Sequence, residues 1–146
     1  KVNLAKPNTK VTTPITSAIN ALKNLKINKL SIFTPYTNEI NQSVIKYFKE
    51  ENIEISELSY FDIASDLDIG KVDPNHLYDV LSKLDLSNSD ALFVSCTALP
   101  VLSIINELEK KLGKIVLSSN QTLIWDTFNQ IGYKNKIVGY GELFNN

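Results

Sequence analysis

Apolar residues along the chain follow two alternating periods. In PITSAINALKNLK (14–26), Ile15, Ala18, Ile19, Leu22 and Leu25 recur at helical spacing, which predicts an amphipathic helix. Thr13 suits its N-cap, and Pro14 suits its first position. KLSIF (29–33) reads as a buried strand, and NEINQSVIKYFKEEN (38–52) as a helix with Ile40, Val44, Tyr47 and Phe48 inward. IEISELSYF (53–61) alternates like a strand, DIASDLDIGKVDP (62–74) reads as a loop, and NHLYDVLSKLD (75–85) as a short helix. ALFVSC (91–96) predicts a fully buried strand. Leu99, Leu102, Ile105, Leu108 and Leu112 then mark a helix that Gly113 is placed to end. KIVLSS (114–119), NQTLIWDTFNQIG (120–132) and KIVGY (136–140) read as strand, helix and strand, and KVTT (10–13) as a further short strand.

Strands alternating with helices imply an α/β fold, with a parallel sheet of about four to five strands and helices on both faces. A weak internal repeat matches residues 10–33 to residues 116–139 at constant offset. Thr12-Thr13 falls on Ser118-Ser119, Leu22 on Phe128 and Leu25 on Ile131. Two readings stand: any two βαβ units resemble each other, or the protein has two similar lobes. On the second, residues 1–14 are the tail of a first lobe, and residues 15–146 form a second α/β lobe.

Composition narrows the classes. The chain has 146 residues, 43% of them hydrophobic, which suffices for a core and excludes general disorder. A net charge of −1 with dispersed Lys and Arg offers no stripe for nucleic acid and no polybasic patch for a membrane surface. No apolar run approaches the roughly 20 residues of a membrane span. The single cysteine forms no internal disulfide, which fits a cytoplasmic setting. The chain opens on Lys1 and contains no methionine, so it reads as a fragment or as a chain whose start has been removed.

That cysteine, Cys96, lies in DALFVSCTALP (90–100), where a strand hands over to a helix expected to begin near Thr97 or Ala98. Ligands of parallel α/β sheets bind at the carboxyl ends of strands. A helix start there would present free N–H groups and the positive end of its dipole, binding a carboxylate and favouring thiolate. Free cysteines also serve as small buried hydrophobes, so packing and chemistry both remain open.

SCTALP, with SSNQTLIWD downstream and VTTPITSAINAL and TPY (34–36) upstream, resembles the aspartate/glutamate racemase superfamily. The chain is most similar, from about Val11 to its end, to the branch of maleate cis–trans isomerases, arylmalonate decarboxylases and racemase-like proteins of ectoine utilisation. The resemblance implies a cofactor-independent enzyme with two similar α/β lobes. The active site would lie in the cleft between them, with one cysteine per lobe on opposite sides of a small carboxylate substrate. Cys96 would be the catalytic cysteine of the second lobe. The amides of Thr97 and Ala98 would hold a substrate carboxylate, and so would the Tyr36 hydroxyl. The other cysteine would lie upstream of Lys1, so the site is completed by a missing N-terminal lobe or by a second copy in a homo-oligomer. Arylmalonate decarboxylases carry two glycines where Thr97 and Ala98 stand, which weakens the decarboxylase reading.

The remaining candidates read as structural. Ser118 and Ser119 either contact a ligand or cap a helix with Asn120, and capping is the simpler role. Asp66, Asp68 and Asp73 match no calcium-loop spacing and read as solvated carboxylates, so no metal is expected. His76 reads as exposed and Trp125 as packing. Gly139 and Gly141 do not form a dinucleotide fingerprint.

Overall fold

The computed structural model describes residues 2–133 and 135–145. The elements run in the order α1 (Val2–Ala5), α2 (Pro14–Leu25), β1 (Lys29–Thr34), α3 (Asn38–Glu50), β2 (Glu54–Tyr60), α4 (Asp66–Ile69), α5 (Pro74–Leu81), β3 (Ala91–Val94), α6 (Ile105–Leu112), β4 (Ile115–Ser118) and α7 (Ser119–Ile131). A 3₁₀ turn, Glu142–Asn145, follows. The local signals act as expected: Thr13 Oγ1 caps Thr16 N–H, Pro14 opens α2, and Gly113 ends α6 at φ 62°.

The four strands pair in parallel in the order β2-β1-β3-β4. One face of the sheet, carrying Leu30, Ile32, Ala91, Phe93 and Leu117, packs in one core with Ala18 and Leu22 of α2, Phe48 of α3 and Trp125 of α7. The other face, with Phe33, Leu92, Val94 and Val116, packs with Leu77 and Leu81 of α5 and Ile105 and Leu108 of α6. Near-continuous burial of β1, β3 and β4 is what a sheet covered on both faces requires. No helix among the described residues is long and apolar enough to cross a membrane.

Three expectations are corrected. Residues 10–13 and 135–140 join no strand ladder among the described residues, so the β-rich composition of KVTT and KIVGY forms no sheet here; Lys134 lies outside the described residues. A strand is made by its neighbour's hydrogen bonds, and neither segment pairs with a strand among the described residues. Ile40 is exposed, and Asn41 takes the inward position beside Val44 and Phe48. The helix expected near Thr97 begins only at Ile105, because Pro100 disfavours helical geometry at Leu99 and leaves residues 97–104 as turns. Leu99 is nonetheless buried.

Candidate active site

The order β2-β1-β3-β4 fixes where a crevice opens. The chain leaves β1 toward β2 on one side and returns to β3 on the other, so the topological switch point lies between β1 and β3. Tyr36 follows the end of β1, and Cys96 follows the end of β3. Two residues sixty positions apart in sequence are thereby brought together.

The Tyr36 turn is locked from within. Thr34 Oγ1 donates to Asn41 Oδ1 at 2.6 Å, Tyr36 N–H donates to Thr34 Oγ1 at 3.2 Å, and Asn41 Nδ2 donates to the Tyr36 carbonyl at 3.2 Å. Asn41 and Thr34 are fully buried, so each polar atom needs such a partner. The Tyr36 hydroxyl lies near Cys96 and Ser95, close enough for both to bear on its ionisation. Burial pushes the Tyr36 pKa above its ordinary value, and the neighbouring Cys96 raises it further. The group is therefore a neutral phenol that donates a hydrogen bond.

Cys96 is 5% exposed and belongs to the buried cluster that holds Phe33, Ile69 and Leu77. Its sulfur accepts the Ala98 N–H at 3.3 Å. Its own N–H donates to Ser119 Oγ at 3.1 Å, and Asn120 Nδ2 donates to the Thr97 carbonyl at 2.9 Å. The helix dipole expected behind the thiol is thus replaced by a turn that folds one amide back onto sulfur. Ala98 N–H is used there, while Thr97 N–H has no acceptor among the described residues and Thr97 is exposed.

A cleft of about 430 Å³ opens beside this loop. Tyr36, Ser95, Thr97 and Ser119 form its polar side, and Pro14, Ile15, Val44 and Tyr47 its apolar side. Ser95 and Thr97 flank Cys96 in sequence and line this cleft, while Cys96 itself packs with Phe33 and Leu99 in the cluster on the other face.

The sequence assigned Ser118 and Ser119, with Asn120, to helix capping. Ser118 does cap α7, in a reciprocal box with Gln121, while Ser119 and Asn120 hold the cysteine turn. Asn41 was also missed, although a polar residue in line with Val44 and Phe48 on an apolar helix face is a readable signal. Asp73 caps α5, Asp68 pairs with Lys71, and exposed Asp66 adds a negative field at Tyr36. His76 is exposed, and Trp125 packs in the core.

The arylmalonate decarboxylase profile matches residues 4–144. The chain belongs to the arylmalonate decarboxylase family. This member is 28% identical over 126 residues to the maleate isomerase of Geobacillus stearothermophilus, an alignment covering 86% of this chain and 50% of that protein. It is 29% identical over 136 residues to the arylmalonate decarboxylase of Bordetella bronchiseptica, covering 91% of this chain and 57% of that one. Its fold matches that of a Nocardia farcinica maleate cis–trans isomerase mutant with a covalently bound succinylcysteine intermediate, with a TM-score of 0.90 at 21% identity, covering 97% of this chain and 58% of that one. The family member described here spans about half the length of the curated relatives it matches.

Proposed function

We propose that this chain supplies one wall of the active site of a cofactor-independent isomerase or racemase acting on a small carboxylic or dicarboxylic acid, with Cys96 as its thiolate. The observation that carries this reading is the Ala98 N–H donated to the Cys96 sulfur at 3.3 Å, with the Tyr36 hydroxyl nearby, at the switch point. A donor so placed stabilises negative charge on sulfur, and thiolate is the reactive form. On this reading residues 1–14 are the tail of a first lobe, residues 15–146 form the second, and the opposing thiol comes from outside these 146 residues.

In a maleate-type reaction, a thiolate sulfur adds to one alkene carbon. The π pair moves to the adjacent carbon and delocalises into its carboxylate. The former double bond is now single and rotates. The pair then returns, re-forms the double bond as trans, and expels the thiolate, so no atom is gained or lost. In an aspartate-type racemisation, one thiolate takes the α-proton and the opposing thiol returns a proton to the other face. Both routes build charge on carboxylate oxygens, where Thr97 N–H and the Tyr36 hydroxyl can donate. The Ala98 amide serves the sulfur first. The covalent succinylcysteine in the Nocardia farcinica enzyme agrees with the addition route.

A second reading is decarboxylation, favoured by the Bordetella bronchiseptica relative and disfavoured by Thr97-Ala98. A third is a carboxylate-binding lobe without turnover. Incubation with maleate, with each aspartate enantiomer and with an arylmalonate, in the presence of the element that supplies the opposing thiol, followed by NMR and chiral chromatography, separates them. Isomerisation or racemisation that disappears in Cys96→Ser is the expected result. Turnover that survives Cys96→Ser, or decarboxylation alone, overturns the proposal, and binding without turnover selects the third reading.

A further inference from the structure

The turn that carries the thiol is held by two consecutive residues of another element. Ser119 accepts the N–H of Cys96, and Asn120 donates to the carbonyl of Thr97. A carbonyl can pair only with the NH₂ end of the Asn120 amide, which settles its orientation. The Thr97 carbonyl and the Ala98 N–H belong to one peptide unit. A trans peptide is planar, and its C=O and N–H point in opposite directions. Anchoring the Thr97 oxygen on the Asn120 side therefore aims the Ala98 hydrogen the other way, where the Cys96 sulfur accepts it at 3.3 Å.

From this geometry we infer that Asn120 is a positioning residue, which sets the ionisation and reactivity of Cys96 through the plane of the Thr97–Ala98 peptide. It touches neither the sulfur nor the open side of the polar wall. Ser119 holds the peptide that enters Cys96, and Asn120 the peptide that follows Thr97. The peptide between them leaves its Thr97 N–H without an acceptor among the described residues, and so available to an acid. Without Asn120, the turn has no side chain fixing that second plane, and Ala98 N–H is free to rotate off the sulfur. This inference rests on Cys96 being the reacting group, but its test does not need turnover.

Cys96 is the only cysteine, so alkylation by iodoacetamide and the ultraviolet absorbance of the thiolate report on it alone. Both are measured against pH in the unaltered protein, in Asn120→Ala and in Asn120→Asp, with circular dichroism and thermal unfolding confirming the fold. Loss of one aligned donor predicts alkylation roughly fivefold slower at neutral pH, with the thiolate profile displaced to higher pH. Asn120→Asp keeps the size but sets an acceptor against the Thr97 carbonyl, and it should displace the profile at least as far. It also serves if the alanine variant does not fold. Profiles that coincide with the unaltered protein's in a folded variant overturn the positioning role, whatever the activity. An unaltered thiol that titrates as an ordinary cysteine, near about pH 8.5, instead counts against the function proposed above. A displacement in the variants still upholds the role of Asn120 in that case.

Discussion

Tyr36 and Cys96 are neighbours across the seam between β1 and β3, close enough for Cys96 to raise the Tyr36 pKa. The pairing is long-range in sequence and short-range in space, and it exists only because β1 and β3 are neighbours in the sheet. Each partner is held by its own polar frame: Thr34 and Asn41 behind the tyrosine, Ser119 and Asn120 behind the cysteine. Both sides of the seam are thus braced by hydrogen bonds where the chemistry is proposed.

Tyr36→Phe tests the donor directly. The ring and its packing survive, and only the hydroxyl is lost. A hydrogen bond to a charged group is worth about 1.5–3 kcal/mol, so maleate binding should weaken by roughly ten- to hundredfold. Calorimetric titration measures it. An unchanged affinity would make Tyr36 an edge aromatic and nothing more.

Asp126 links α7 to α2 and to the segment before it. Its carboxylate accepts from Thr12 and Ser17 hydroxyls, from Asn20 Nδ2 at 3.1 Å and from Gln130 Nε2 at 3.2 Å. Burial alone would raise its pKa, but these donors together outweigh burial and hold it below the ordinary carboxylate range. A depressed folded-state pKa gives stability that is present above the unfolded value, about 3.9, and is lost as pH falls through the folded one. Asp126→Asn should therefore be less stable than the unaltered protein at neutral pH, with the gap closing in acid. Denaturant unfolding at neutral and acid pH follows both. A gap that is constant with pH contradicts the clamp.

Ser118 carries the N-terminus of α7, with Gln121 closing the box. Ser118→Ala should cost about 1 kcal/mol of unfolding free energy. Because Ser119 and Asn120 sit in the first turn it organises, Cys96 alkylation should slow as well. Stability and labelling measured on the same sample show whether the cap and the cysteine turn are coupled.

Much of this arrangement was readable from residues alone. Hydrophobic periodicity located α2, α3, α7 and the four paired strands, since burial on both faces leaves an unambiguous apolar signature in ALFV and IVLS. The internal repeat was half right: its helices form and pack, and Asn20 and Asp126, at matching positions 106 apart, bond to each other. Of its flanking strands, β1 and β4 form while 10–13 and 136–139 join no ladder, because pairing depends on a neighbour that local sequence does not name. Apolar spacing from Leu99 onward imitated a helix through a segment that runs as turns, with Pro100 disfavouring helical geometry at Leu99, and this misplaced the dipole behind Cys96. The motif residues Tyr36, Cys96, Thr97 and Ala98 were found by resemblance. The side chains that aim them, Asn41, Ser119 and Asn120, were not, because aiming is a relation between elements and leaves no local pattern.

The central claim is that Cys96 is a reactive thiol beside a site that grips an acid. Alkylation of the folded protein with and without maleate or malonate addresses both halves at once. The account predicts labelling of the native protein near neutral pH, slowed in a saturable way as the acid is added. Labelling that occurs only after denaturation, or at a rate indifferent to either acid, contradicts it.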